Sequence, residues 1–292
     1  MTGVPDARPA AVAGSWYPAD PDTLRREGQT YLAAAAAPPD GALAGLIAPH
    51  AGLVYSGPVA AHAYRAAAGR SYDVVVLVGP SHHVGFEGVA VHPRGRFETP
   101  LGPITVHAEL AGRLLETPVV VTHPTAHGRE HSLEMQLPFL AEVLPGVPIV
   151  PLVIGSQERS TIAALVEALA DVLEGVSALL VASTDLSHFF DRDRAATLDD
   201  VVAGHVARFD TGGLEAEYER YPAAERGRYV ACGGGAAIAV MRAAAARGAV
   251  DARVLRYGQS GDVSGDHARV VGYLAAALGR FERSAGGRQG PR

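Results

Sequence analysis

The chain has 292 residues, a net charge of −6 and a pI near 6.0. All 25 of its Lys+Arg residues are arginine and asparagine is absent, which excludes a Schiff-base lysine, a Walker-type phosphate lysine and an N-glycosylation sequon. The acidic balance argues against nucleic acid as a partner. No apolar run reaches the ~20 residues of a spanning helix and residues 1–21 lack the pattern of a signal peptide, so no membrane partner and a cytoplasmic location are expected.

Residues 1–9 carry little to bury and are expected to be loose. Apolar runs at 43–48, 73–79, 88–91, 149–154 and 178–183, with two more at 252–257 and 269–274, are rich in Val, Ile and Leu. Several are unbroken rather than alternating, the pattern of strands covered on both faces. Between them, residues 57–68, 107–115, 133–144, 158–173, 195–209 and 235–247 have helical spacing and good helix formers, and 32–37 reads as a plain alanine helix. Ser132 is placed to cap the helix at 133–144, with Glu134 in its first turn. No stretch repeats at a fixed period and no linker interrupts 8–281. The expected fold is therefore a single α/β domain over 8–281 with a central, largely parallel or mixed sheet flanked by helices. Residues 284–292 are Gly/Arg-rich and are expected to be a disordered tail.

Twelve histidines against one cysteine point toward metal or acid/base chemistry, because imidazole titrates near neutrality and is the commonest metal ligand. The informative histidines follow predicted strands, where open α/β sheets place their ligand sites. His50 stands in Ala48-Pro49-His50-Ala51-Gly52, His82 and His83 follow Gly79-Pro80-Ser81, and Ser183-Thr184-Asp185-Leu186-Ser187-His188 ends another run. If those strands lie side by side, His50, His82, Asp185 and His188 converge on one sheet edge. Glu130-His131-Ser132-Leu133-Glu134 opens a helix with polar groups, and Glu130, His131, Glu134 and His83 are read as substrate or supporting residues. Cys232 precedes Gly233-Gly234-Gly235, a flexible turn into a helix N-terminus whose dipole favours thiolate. Two histidines and a thiolate make a soft three-ligand set with an open position, compatible with zinc, iron or copper. His62, His92, His107, His123, His127, His205 and His267 lack the strand-end context and are expected at the surface or behind the site.

Together these segments resemble the Memo family. The carriers are Ala13-Gly14-Ser15-Trp16-Tyr17-Pro18, Pro49-His50-Ala51-Gly52 with Tyr55-Ser56-Gly57, Pro80-Ser81-His82-His83, and Glu98-Thr99-Pro100-Leu101-Gly102. Further along stand Glu130-His131-Ser132-Leu133-Glu134-Met135-Gln136, Ser183-Thr184-Asp185-Leu186-Ser187-His188 and Cys232-Gly233, in order over most of the chain. The resemblance implies a fold like that of the class III extradiol dioxygenases. It implies His50, His82 and Cys232 as metal ligands, with Asp185 and His188 lining the same pocket as catalytic candidates. It also implies, as partners, the AMMECR-type and radical-SAM proteins of the three-part AmmeMemoRadiSam set. Dioxygenases hold iron with two histidines and a carboxylate, so a thiolate in third position argues against carrying over ring cleavage.

Three functions fit this reading. The first is a metal-dependent redox protein or oxidoreductase with one iron or copper ion. The second is a zinc- or Cys232-dependent hydrolase, and the third a non-enzymatic module that binds metal or a partner.

Overall fold

Strands buried on both faces need apolar residues at every position, and Val74-Val75-Val76-Leu77-Val78 meets that demand with no exposed side chain. The computed structural model describes residues 4–123 and 125–282. The expected tail at 284–292 lies outside them.

The strands in chain order are β1 (Ala7–Arg8), β2 (Gly41–Ala48), β3 (Val74–Pro80), β4 (Val89–Val91), β5 (Arg96–Phe97), β6 (Ile104–Thr105), β7 (Val120–Val121), β8 (Ile149–Ile154), β9 (Ala178–Ser183), β10 (His188–Phe190), β11 (Asp251–Gln259) and β12 (Val270–Phe281). The helices are α1 (Pro21–Ala34), α2 (Leu53–Ala67), α3 (Ala108–Leu115), α4 (Leu137–Val143), α5 (Arg159–Val172), α6 (Arg192–Ala207), α7 (Thr211–Glu219), α8 (Ala223–Tyr229), α9 (Gly234–Ala246) and α10 (Gly261–Ser264).

Among the described residues, nine strands form one mixed sheet in the order β10-β12-β2-β9-β3-β8-β4-β7, with β11 also paired to β12. The centre is parallel, β2 with β9, β9 with β3 and β3 with β8. Antiparallel β12 and β4 flank it. The crossover from β2 through α2 to β3 skips one place in one direction, and that from β8 through α5 to β9 skips one place back. Right-handed crossovers in opposite directions put their helices on opposite faces, and the reversal opens a crevice at the strands' C-terminal edge. The fold is the single α/β domain expected. Among the described residues, no single helix is long and apolar enough to cross a membrane.

All seven apolar runs are strands, and the six helical stretches are helical over most of their length. Four expectations need correction. Arg8, within the segment expected to be loose, is buried in β1 and pairs with Glu134, because β1 adds in parallel to β5. Ser132 caps nothing: its hydroxyl donates to the Pro80 carbonyl at 3.0 Å, and α4 begins only after a 3₁₀ turn at Glu134–Gln136. The turn after Cys232 is packed rather than flexible, since a methyl group on Gly233 would overlap the Ser183 carbonyl oxygen. His92 and His127 are buried, their rings edge to face at 5.7 Å and both edge to face with Phe97 of β5.

That burial has a consequence for acid stability. Burial, helped by the nearby charges of His92 and Arg8, lowers His127 from 6.5 to about 3. An unfolded His127 takes up its proton near 6.5, whereas the folded one resists until about 3, so its contribution is complete above 6.5 and is lost as pH falls through that window. The slope is ~1.4 kcal/mol per pH unit for one group. Urea unfolding midpoints should therefore drop across this window, and the drop should be shallower in His127→Leu.

Candidate metal centre

Three adjacent parallel strands run out at one edge of the sheet. β2 delivers His50 two residues past its end, β9 delivers Asp185, and β3 delivers His82. Cys232 comes from the turn before α9, and His131 from the segment that leads into the 3₁₀ turn.

A buried serine decides how His50 presents itself. The Ser183 hydroxyl donates its single proton to the Ser132 carbonyl at 2.6 Å and accepts from Gln136 Nε2 at 2.8 Å. It lies 2.9 Å from His50 Nδ1 and has no second proton to give, so His50 Nδ1 is the donor there. Gln136 is itself fixed, with Nε2 donating to the Pro49 carbonyl at 3.0 Å and Oε1 accepting from the buried Tyr64 hydroxyl at 2.7 Å. His50 therefore turns a bare Nε2 toward the site, where Cys232 Sγ stands 3.2 Å away. Burial lowers its pKa well below 6.5, which keeps the ring neutral and its lone pair available.

His82 is oriented by a carboxylate. Its Nδ1 donates to Glu130 Oε1 at 2.8 Å and its backbone N–H to Glu130 Oε2 at 2.6 Å, while Ser132 N–H also reaches Oε1 at 2.9 Å. Burial alone would raise Glu130, but these bonds and the His82 charge hold it well below the usual carboxylate range. Burial alone would likewise lower His82, yet hydrogen bonds to Cys232 and Glu130, with their charges, raise it to about 10. His131 is lowered to about 4 by burial and by the charge on His82.

The three imidazoles of His50, His82 and His131 offer nitrogens that all lie within 4.8 Å of one another, a group able to hold a metal ion. The His82 and His131 rings are stacked, 4.4 Å apart and 19° from parallel, and Trp16 packs tilted against His131 at 4.2 Å. Cys232 Sγ lies 3.2 Å from His50 Nε2. Asp185 encloses it: its N–H donates to Sγ at 3.3 Å, and its carbonyl accepts from Cys232 N–H at 3.2 Å. The Asp185 carboxylate accepts the N–H groups of His50 at 2.8 Å and Ala51 at 3.3 Å, and burial raises its pKa. His188 donates Nδ1–H to the Leu186 carbonyl at 2.7 Å, which leaves Nε2 bare in the neutral ring.

The remaining sequence candidates divide. His83 lies outside the imidazole group and lines a cavity of about 230 Å³ with Trp16, Arg129 and His131. Glu134 is a buried strut: it pairs with Arg8 and accepts Ala11 N–H at 2.8 Å, Val12 N–H at 3.0 Å and the Tyr17 hydroxyl at 2.6 Å. It thereby ties down the segment that carries Trp16. Sequence reasoning overlooked Ser183, Gln136 and Gln157. The amide of Gln157 donates to the Cys232 carbonyl at 2.8 Å and accepts Gly235 N–H at 2.9 Å, clamping the cysteine turn. Ser183 and Gln136 stand inside quoted motifs, but Gln157 follows a strand with nothing to mark it.

A fold with a switch-point crevice and a group of imidazoles at the strand ends is one that many unrelated chemistries share, and sequence comparison narrows it. Residues 8–277 match the family profile described as Memo-like protein, and the chain belongs to the Memo family. A MEMO1 family protein of Methanopyrus kandleri is 36% identical over 286 residues, covering 94% of this chain and 99% of its own. One of Methanothermobacter thermautotrophicus is 35% identical over 277 residues, 91% of this chain and 98% of its own. The crystal structure of an uncharacterized protein from Escherichia coli K12 superposes with a TM-score of 0.55 at 15% identity, covering 82% of this chain and all of that one, a likeness of fold.

An ion entering here must displace a proton, because His82 is raised to about 10 and so carries two ring protons near neutrality. Calorimetric titration with Zn²⁺ in buffers of different ionisation enthalpy should show at least one proton released per ion, and weaker uptake as pH falls. Glu130→Gln, which removes one of the charges that hold that proton, should release fewer. Heats independent of the buffer would contradict this.

Proposed function

We propose that the chain binds one metal ion through His50, His82 and Cys232 and acts as a metal-dependent redox protein or oxidoreductase. The supporting observation is the contact of Cys232 Sγ with His50 Nε2 at 3.2 Å, where the ring already turns a bare nitrogen outward. A ligating nitrogen uses the lone pair in its own ring plane. The His131 ring is stacked nearly parallel on His82, at 19°, so their lone-pair planes do not cross, whereas Cys232 Sγ already touches the bare His50 Nε2 at 3.2 Å. Two imidazoles and a sulfur suit iron or copper, and zinc as well. A bound iron or copper ion would supply one-electron chemistry to a substrate in the open position. Around it, His188 offers Nε2 to accept or donate a proton, and Asp185 fixes the backbone of His50. Trp16 and His131 shield one side from water.

Metal analysis of protein purified without an affinity tag tests this. His50→Ala and Cys232→Ser should each lower metal affinity by about 100-fold, and His131→Ala by about 10-fold or less, the size of a supporting contact. Equal loss from His131→Ala and none from Cys232→Ser would assign the ion to the three imidazoles instead.

A second reading has one observation in its favour. Cys232 and His50, with Ser183 orienting the imidazole from its other nitrogen, have the layout of a nucleophile, a base and an orienting group. Metal-free protein would then be labelled stoichiometrically at Cys232 by iodoacetamide near neutral pH, and added metal would block the reaction. Labelling only after denaturation would eliminate this hydrolytic role.

A further inference from the structure

Asp199 lies in the middle of α6, away from the imidazoles, and is fully buried. A carboxylate so placed needs donors, and it has two from other elements. Ser187 N–H donates to Oδ1 at 2.9 Å and the Tyr257 hydroxyl of β11 to Oδ2 at 2.8 Å. The Tyr257 oxygen in turn accepts Gln259 Nε2 at 2.6 Å, so its own proton is committed to Asp199. On β12 the neighbour is Gly272, where a methyl group would overlap Oδ2. The same Gly272 accepts Leu186 N–H at 2.8 Å and donates to the Ser187 carbonyl at 3.0 Å, which zips the segment to the sheet edge.

Ser187 N–H belongs to the peptide unit whose other end is the Leu186 carbonyl. That carbonyl accepts Nδ1–H of His188 at 2.7 Å. A single amide thus stands between a buried carboxylate and an imidazole, in the order carboxylate, N–H, C=O, ring N–H. A peptide unit polarised at its N–H becomes a stronger acceptor at its oxygen, as in any chain of hydrogen bonds in a poorly polarisable interior.

We infer that Asp199 is a positioning residue that acts on His188 through the Leu186–Ser187 peptide, holding its Nδ1–H tautomer and keeping Nε2 bare toward the site. The logic is that of a carboxylate that orients a histidine directly, extended by one amide. Burial raises Asp199 to about 6, with the neighbouring Asp200 pushing the same way against the Ser187 and Tyr257 hydrogen bonds. The carboxylate therefore carries its charge above neutrality and loses it on mild acidification. The role of His188 as acid or base rests on the metal-centre reading, but its tautomer does not, and it is measured in metal-free protein.

The experiment is a long-range ¹H–¹⁵N correlation of the histidine rings in the full chain without metal, at about pH 8, where a carboxylate of this kind is ionised. The wild type should show a protonated Nδ1 and a bare Nε2 on His188. Asp199→Asn keeps the shape and an acceptor for Ser187 N–H but removes the charge. It should shift both His188 nitrogens toward a tautomer mixture while those of His50 and His82 stay in place. Tyr257→Phe removes a competing donor and leaves the charge, so His188 should keep Nδ1–H. Amide exchange at Ser187 should be at least several-fold faster in Asp199→Ala than in Asp199→Asn. Unchanged His188 nitrogens in Asp199→Asn, or the same shift in both Asp199→Asn and Tyr257→Phe, would overturn the assignment, because the first denies the relay and the second reports only a loosened loop.

Discussion

Parallel strands that end together leave their last backbone groups to be satisfied by whatever follows, and β9 is inserted between β2 and β3, where three such ends meet. Thr184 N–H closes onto the Ala48 carbonyl at 2.9 Å, which fixes β9 to β2 at the point of exit. The register that pairs Ala48 with Ser183 sets the serine hydroxyl beside His50. A slip of one residue would turn that hydroxyl to the other face and leave Gln136 and His50 without a common partner. The geometry of the centre is thus inherited from backbone pairing, and side chains refine it.

That refinement is an allocation of protons. Ser183, Glu130 and the Leu186 carbonyl each take up the Nδ1 of a histidine, which leaves Nε2 of His50, His82 and His188 as the nitrogen free of that bond. The environments nevertheless differ. His50 is driven neutral by burial, His82 is held charged by Glu130 and Cys232, and His131 is lowered by that same charge. A cluster of imidazoles at such short separations cannot all be protonated, and here the carboxylate of Glu130 selects which one is.

The sheet and the helices covering it were readable from unbroken apolar runs and Ala-rich spacing because burial imposes those patterns on every turn and every strand residue. The short strands β1, β5, β6, β7 and β10 were not, since two or three residues carry no period. His50, His82, Asp185 and His188 could be picked out because each follows a strand, and Cys232 because it precedes a glycine turn into a helix N-terminus. The convergence of the first three needed only strand adjacency. Ser183, Gln136, Gln157 and Asp199 act through hydrogen bonds to partners distant in sequence, and nothing local distinguishes a buried glutamine or aspartate that holds a carbonyl or amide from one that does not. His92 and His127 mark the converse case, histidines that no motif singled out and that are nevertheless buried, each against Phe97 of β5.

The chain has a single tryptophan, and Trp16 lies with its ring 4.2 Å from His131 at the rim of the imidazole group. Indole emission responds to the charge and contacts of whatever stacks on it, and no second indole dilutes the signal. The segment that carries this ring is anchored through Glu134 to Arg8, Ala11, Val12 and Tyr17. The protein therefore carries a single indole held against His131 by a segment anchored at its base, so that its emission reports on that one imidazole with no label attached.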